Sequence, residues 1–143
     1  MENYQLENDV YVVCVTARAF PEGIMDAFKQ LGRKYPSLYT QPFYGISYET
    51  PEGDIIYKAA ALERFEGEGK KLGLETFVIS KGEYITETIF DFSKDPKQIF
   101  NCFQRLLSVP QLDKHFPCVE WYKSEDEVMC MVKAVEKTSD KLV

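Results

Sequence analysis

The same order of predicted elements occurs twice along this chain of 143 residues. In each case a β-branched or aromatic stretch precedes a segment with apolar residues at helical spacing, and two further extended segments follow. The first set covers residues 10–64 and the second covers residues 75–135, with a charged, glycine-containing connector at about 63–73. A repetition of this kind predicts a duplicated unit with pseudo-two-fold symmetry.

Each half therefore predicts one β-α-β-β module. Pro21 suits the first turn of the first helix, and Asp95 and Pro96 suit the start of the second. We expect an α+β fold in which a tandem duplication of the module forms an antiparallel sheet, with two helices on one face and a cleft between the halves. Strands are predicted at 10–17, 43–50, 55–62, 74–79, 82–92, 118–122 and 127–135.

Composition narrows the class of protein. The chain is long enough for one well-packed domain, so residues 1–143 are expected to form a single unit. Its net charge of −6 and the lack of clustered Lys and Arg argue against direct binding to nucleic acid. No apolar run is long enough to cross a bilayer, and the Met1 end resembles no signal peptide, so we expect a cytoplasmic protein.

Neither a metal site nor a cofactor is predicted. The four cysteines are far apart and lie in periodic apolar segments, which is typical of reduced core residues. The spacing excludes a CxxC-type zinc site, and no HExxH motif is present. His115, the only histidine, lies in a polar stretch that predicts plain solvent exposure.

The most informative single stretch places one carboxylate inside an aromatic strand. Because side chains alternate along a strand, Cys118, Glu120 and Tyr122 are expected on one face, and Val119 and Trp121 on the other. Glu120 then lies either on the wet face of a half-exposed sheet or in a partly dry cavity, where it needs a cationic or hydrogen-bonding partner. The second arrangement would be a binding site.

These residues resemble a known family. The doubled module, the Gly82-Glu83-Tyr84-Ile85 start of the second half and the Cys118–Tyr122 strand are similar to the GyrI-like, or bacterial transcription-activator effector-binding, domain. The resemblance implies two SHS2-like modules with a cleft that takes small, often aromatic or cationic compounds. It assigns Glu120 and Tyr122 to that pocket.

Pseudo-symmetry extends the predicted pocket to further aromatic residues. Aligning Tyr48 with Tyr122 puts Ile46 opposite Glu120, and on this alignment Tyr44 and Tyr48 are expected to form the opposite wall. Trp121 is assigned either to the core or to the cleft, depending on its face. The predicted ligand-binding set is therefore Glu120, Tyr122, Trp121, Tyr44 and Tyr48.

The resemblance leaves three functions open. Family members often carry a DNA-binding module, but this sequence has too few residues outside the two halves for one, so we expect a stand-alone member. The first function is a small-molecule-binding protein, of the kind that binds many drugs in bacteria. The second is a hydrolase of electrophilic compounds with Glu120 as general base and a tyrosine as donor. The third is an inhibitory protein-interaction module that acts on a larger enzyme such as a topoisomerase.

Overall fold

The computed structural model describes residues 1–36, 40 and 42–135. In this part of the chain eight strands form one antiparallel sheet in the order β1-β6-β8-β7-β3-β4-β2-β5. The strands are β1 (Glu2–Leu6), β2 (Val10–Thr16), β3 (Phe43–Glu49), β4 (Ile55–Leu62), β5 (Glu75–Ile79), β6 (Gly82–Phe90), β7 (Cys118–Tyr122) and β8 (Glu127–Lys133). The helices are α1 (Ile24–Lys34), α2 (Glu68–Leu72) and α3 (Lys97–Leu106), with a 3-10 turn at Phe92–Lys94.

The predicted α+β fold is confirmed, and both halves contain the expected module. The first half has the order β2-α1-β3-β4, and the second has the order β6-α3-β7-β8. The two modules join where β3 pairs with β7 in the middle of the sheet. The strand β1 and the short helix α2 were not predicted, and both lie outside the repeated modules.

The helices α1 and α3 lie on the same face of the sheet. The helix α1 buries Ala27 and Leu31, which are four residues apart and therefore on one side of the helix. In the same way α3 buries Cys102 and Leu106. The first helix packs on β2 and β4 and the second on β6 and β8, which leaves a groove between them with β3 and β7 as its floor.

The other face of the sheet holds a core of its own. The outermost strands, β1 and β5, contribute Leu6 and Ile79 to one cluster that also contains Ile46 and Val119 from the middle strands. Strands so far apart in the sheet share a cluster only because the sheet curls toward this face. We call it the concave face, and the face that carries α1 and α3 the convex face.

The connector between the modules contains α2. Gly67 and Gly73, with φ of 84° and 70°, flank this helix in the left-handed region that glycine adopts without strain. Glu68 is 1% exposed and accepts hydrogen bonds of 2.7 Å from both the backbone N–H and the Nε of Arg64. None of the helices in the described ranges is long and apolar enough to cross a membrane.

Candidate functional site

Glu120 lies at the centre of the sheet, on the convex face between α1 and α3. It occupies the middle of β7, directly opposite Gly45 of β3, where the two modules meet. Only 9% of its surface is exposed. The carboxylate therefore lies in a largely dry place at the floor of the groove, which is the second of the two arrangements that the sequence allowed.

Two tyrosines hold this carboxylate. The hydroxyl of Tyr122 donates a hydrogen bond to Glu120 Oε1 at 2.5 Å, and the hydroxyl of Tyr57 donates to the same oxygen at 3.1 Å. Neither bond uses Oε2. Among the described residues, no Lys, Arg or His lies within ion-pairing distance of Glu120. Buried ionised carboxylates are normally paired with a cation, and Glu120 has hydrogen-bond donors without such a partner among the described residues.

Burial shifts the titration of all three groups. It raises the pKa of Glu120 above its usual value, and the hydrogen bonds from Tyr122 and Tyr57 offset part of that rise. Burial, together with the charge of Glu120, also raises the pKa of Tyr57 and of Tyr122. Both tyrosines therefore keep their protons at neutral pH and remain hydrogen-bond donors. A positive charge beside Glu120 would favour its ionised form.

Aromatic rings surround the carboxylate. Phe43 stacks on Tyr122 with ring centroids 4.9 Å apart, and Phe28 meets Phe43 edge to face at 5.7 Å. Tyr57 contacts Phe28 at 6.4 Å and also stacks with a ring from the loop before α1. We call the six rings on this face the ring cluster: Phe20, Phe28, Phe43, Tyr57, Phe92 and Tyr122.

Gly45 makes room for this arrangement. A Cβ atom at this position would lie 2.1 Å from the Tyr57 hydroxyl and 2.6 Å from Glu120 Oε1. Both distances are shorter than real Cβ contacts, so a side chain here would displace one of the two groups. Glycine inside a strand often marks a place where another group approaches the backbone closely, and here that group is the Tyr57–Glu120 hydrogen bond.

Two surface depressions lie on either side of the Gly45–Glu120 pair. One, of about 590 Å³, is lined by Ser47 and Cys118 on one side of the pair. The other, of about 700 Å³, is lined by Phe43 and Tyr122 on the opposite side. Glu120 lines neither of them, and its two hydrogen-bond donors, Tyr57 and Tyr122, belong to the ring cluster. A ligand that contacts the carboxylate therefore has to displace side chains around it.

The structure brings only part of the predicted site together. Glu120 and Tyr122 lie side by side as predicted. Tyr44 pairs with Trp121, and Tyr48 lies four residues further along β3, so all three are on the concave face. The expectation that Tyr44 and Tyr48 face Glu120 is wrong, because the true register puts Gly45 rather than Ile46 opposite the carboxylate.

On the concave face these aromatic residues have partners of their own. Trp121 contacts Tyr4 at 6.2 Å and Tyr44 at 6.1 Å, and the ammonium of Lys123 lies 4.6 Å from its ring centre. Trp121 and Tyr44 therefore pack with the concave core, while Tyr48 is 40% exposed. Trp121 and Tyr48 each line one of the two depressions, and the role of these three residues in ligand binding stays a prediction.

Sequence reasoning missed most of the ring cluster. Tyr57 is a direct partner of Glu120, yet the sequence around it predicts only the return strand of a hairpin. The signal that could have identified it is Gly45, an isolated glycine within a β-prone segment on the strand next to β7. Within the described ranges, no group of three or more His, Cys, Asp or Glu side chains is placed to hold a metal ion.

Comparisons with known proteins agree with this fold. No protein-family model and no curated relative matches the sequence. Among solved structures, an integron cassette protein from Vibrio cholerae is similar, with 16% identity and a TM-score of 0.65 over 93% of this chain and 94% of that one. SAV2435 bound to tetraphenylphosphonium has 11% identity and a TM-score of 0.64, over 98% and 97% of the two chains.

A further similar structure is a hydrolase from Listeria innocua, with 10% identity and a TM-score of 0.56 over 92% of this chain and 89% of that one. The coverage is nearly complete in all three cases, so the likeness extends over both modules. At these sequence identities the likeness concerns the fold alone.

Proposed function

We propose that this protein binds lipophilic organic cations in the groove between α1 and α3, with Glu120 as the counter-ion. The observation that carries the proposal is the buried carboxylate, which has two tyrosine donors but no cationic partner among the described residues. An ionised carboxylate in a place of low dielectric is costly, and a cation that enters the site removes that cost.

The ring cluster supports a cation whose charge is spread over an apolar body. Aromatic faces attract cations by about 0.5 to 2 kcal/mol each, and the attraction is greatest where water is excluded. A strongly hydrated ammonium would lose its water in this groove, whereas a delocalised cation carries little water to lose. The aromatic lining and the negative charge of the site thus favour the same class of compound.

The likeness to SAV2435 supports this choice of probe. That protein has been solved with tetraphenylphosphonium, a cation with four phenyl rings around a central charge. This chain has a similar fold, and its central carboxylate and ring cluster suit the charge and the phenyl rings of such a compound. The proposal for this chain depends on its own residues, Glu120, Tyr57 and Tyr122.

The test compares two ions of nearly the same shape and opposite charge. Isothermal titration should show that tetraphenylphosphonium binds the wild-type protein and that tetraphenylborate does not. Glu120→Gln should weaken the cation at least tenfold, which corresponds to about 1.4 kcal/mol. Glu52→Gln makes the same chemical change in the exposed turn before β4 and should leave the affinity unchanged.

Two results would count against cation binding. Equal affinity for both ions would show that apolar contact alone drives binding. Unchanged affinity in Glu120→Gln would remove the carboxylate from the site, whatever the wild-type protein binds.

The raised pKa of Glu120 favours a second candidate, a hydrolase of electrophilic small molecules. A carboxylate with a raised pKa is a better general base, because it can take a proton from water as the water attacks a substrate. The Tyr57 and Tyr122 hydroxyls would then act as donors. The likeness to the Listeria innocua hydrolase supports testing this activity.

This second candidate is tested by turnover. Incubation with strained-ring or ester substrates, followed by mass spectrometry, should show product formation that Glu120→Gln abolishes while Glu52→Gln does not. Substrates that bind in a Glu120-dependent manner but remain intact would leave the protein a binder.

A further inference from the structure

Phe20 is the outermost ring of the cluster. It lies in the turn between β2 and α1 and is 39% exposed, whereas Tyr57 beneath it is only 1% exposed. The other five rings belong to strands, to α1 or to the 3-10 turn that precedes α3. Phe20 is therefore the member of the cluster held by the least regular structure.

The contacts of Phe20 are few. Its ring stacks on Tyr57 with centroids 5.9 Å apart and an angle of 29° between the planes, and among the described residues it contacts no other ring. Its backbone makes none of the described hydrogen bonds, although the turn is anchored on both sides. Ala17 N–H donates to the Tyr57 carbonyl at 2.8 Å, and Gly23 N–H donates to the Ala19 carbonyl at 3.0 Å.

The position of this ring connects it to the carboxylate. Phe20 covers Tyr57, and the Tyr57 hydroxyl binds Glu120 Oε1. Movement of Phe20 would thus open a path along the Tyr57 ring to Glu120 without breaking a strand or a helix. The backbones of Phe43 and Phe28 are held in β3 and α1, so only their side chains could move without a change in those elements.

We propose that Phe20 is an internal plug, and that an aryl group of the bound cation replaces its ring on Tyr57. This inference rests on the proposed function and narrows it. The preferred ligand carries an aromatic ring next to its positive centre, so that the ring stacks on Tyr57 while the charge reaches Glu120. A small alkylammonium ion such as tetramethylammonium offers no ring to replace Phe20 and binds poorly.

Covering by Phe20 can be measured without any ligand. A water-soluble carbodiimide with glycine ethyl ester labels accessible carboxyl groups, and peptide mass spectrometry gives the rate at each site. Phe20→Ala should increase the labelling rate of Glu120 at least fivefold relative to the exposed Glu52 in the same sample. Phe100→Ala removes a ring of α3 that is 61% exposed and should change nothing.

Ligand kinetics test the replacement itself. In stopped-flow measurements with tetraphenylphosphonium, Phe20→Ala should raise the association rate constant several-fold, and Phe20→Trp, with a larger ring, should lower it. Tetramethylammonium should bind the wild-type protein at least a hundredfold more weakly than tetraphenylphosphonium. Thermal melts of each variant show whether it is folded. If Phe20→Ala does not fold, the association rate of Phe20→Trp still tests the proposal.

The outcomes separate this inference from the proposed function. If cation binding depends on Glu120 but neither labelling nor association responds to the Phe20 variants, the plug is overturned and the function stands. If Phe20→Ala exposes Glu120 but tetraphenylphosphonium does not bind, the covering role is supported, while the replacement by an aryl ligand and the proposed function both fail.

Discussion

Gly45→Ala offers a direct test of the geometry around Glu120. The new Cβ would lie 2.1 Å from the Tyr57 hydroxyl, 2.6 Å from Glu120 Oε1 and 2.7 Å from Tyr57 Cζ. All three distances are far below van der Waals contact, so Tyr57 or Glu120 must move. Tyr57 has little room, because it is 1% exposed and covered by rings.

The expected cost follows from these contacts. Overpacking of a tight interior typically costs about 1 to 3 kcal/mol, and loss of one hydrogen bond to a charged group costs roughly 1.5 to 3 kcal/mol. Alanine in place of glycine stabilises the protein by about 0.4 to 1 kcal/mol, because it reduces the conformational entropy of the unfolded chain. Because one displacement of Tyr57 causes both losses, we expect a net destabilisation of roughly 2 to 4 kcal/mol, or on the order of 10 °C in Tm.

Urea denaturation measures this cost, and a double-mutant cycle locates it. Tyr57→Phe removes the oxygen at 2.1 Å, so Gly45→Ala should cost at least about 1 kcal/mol less in that background than in the wild-type protein. Ser47→Ala, two residues along the same face of β3, serves as a control and should change stability by no more than about 0.5 kcal/mol. If Gly45→Ala leaves the free energy of unfolding unchanged, or lowers it equally in both backgrounds, then Tyr57 and Glu120 do not crowd this position.

Three further predictions concern the same site. Burial raises the folded-state pKa of Glu120 above its unfolded value of about 4.3. The free energy of unfolding of the wild-type protein should therefore fall, relative to that of Glu120→Gln, as the pH rises from the unfolded pKa to the folded pKa. Above the folded pKa the difference between the two proteins should stay constant. The affinity for tetraphenylphosphonium should increase as the pH rises through the same range. Below the folded pKa its binding should release a proton, which calorimetric titration in buffers of different ionisation enthalpy detects. Glu120→Gln should show neither effect. Tyr122→Phe should raise the pKa of Glu120 further, because it removes a hydrogen bond to the ionised form, and carbon NMR of the labelled carboxyl group measures this pKa.

Periodicity was sufficient to predict both modules. Apolar residues at helical spacing identified α1 and α3, and β-branched and aromatic runs identified the strands of each half. The sequence Glu-Asn-Tyr-Gln-Leu of β1 is mostly polar and exposed, so no apolar pattern marked it. It forms a strand because β6 supplies the hydrogen-bond partners, which is a tertiary effect that a local pattern does not contain.

The connector shows a second kind of failure. Its glycines and charges predicted only a connector between the two modules, and the structure forms the five-residue helix α2 there. Glycine is a poor helix former, and Gly69 lies inside α2, where a Cβ would be 2.5 Å from Thr76. Gly67 and Gly73 lie at the two ends, where their left-handed conformation is useful. The carboxylate of Glu68, which is 1% exposed and bound by Arg64 just before the helix, then holds the helix in place. Burial of this one carboxylate depends on the sheet beneath it and cannot be read from residue type.

The site was predicted as far as its own strand allowed. Alternation along β7 correctly placed Glu120 and Tyr122 on one face, because that inference needs no partner strand. The opposite wall depended on the register between β3 and β7, and an offset of one residue moved Tyr44 and Tyr48 to the wrong side. The two-residue period alone predicts which residues of β7 share a face, whereas the register between β3 and β7 is known only from the structure.

The two faces of the sheet have a practical consequence for protein engineering. The groove and the concave core use alternate residues of the same strands, so a change at one position reaches only one of them. Phe43 and Cys118 also pack against the clusters beneath α1 and α3, so a library of the groove floor should vary Ser47 freely and keep those two positions apolar. Tyr44, Ile46 and Val119 then leave the concave core unchanged.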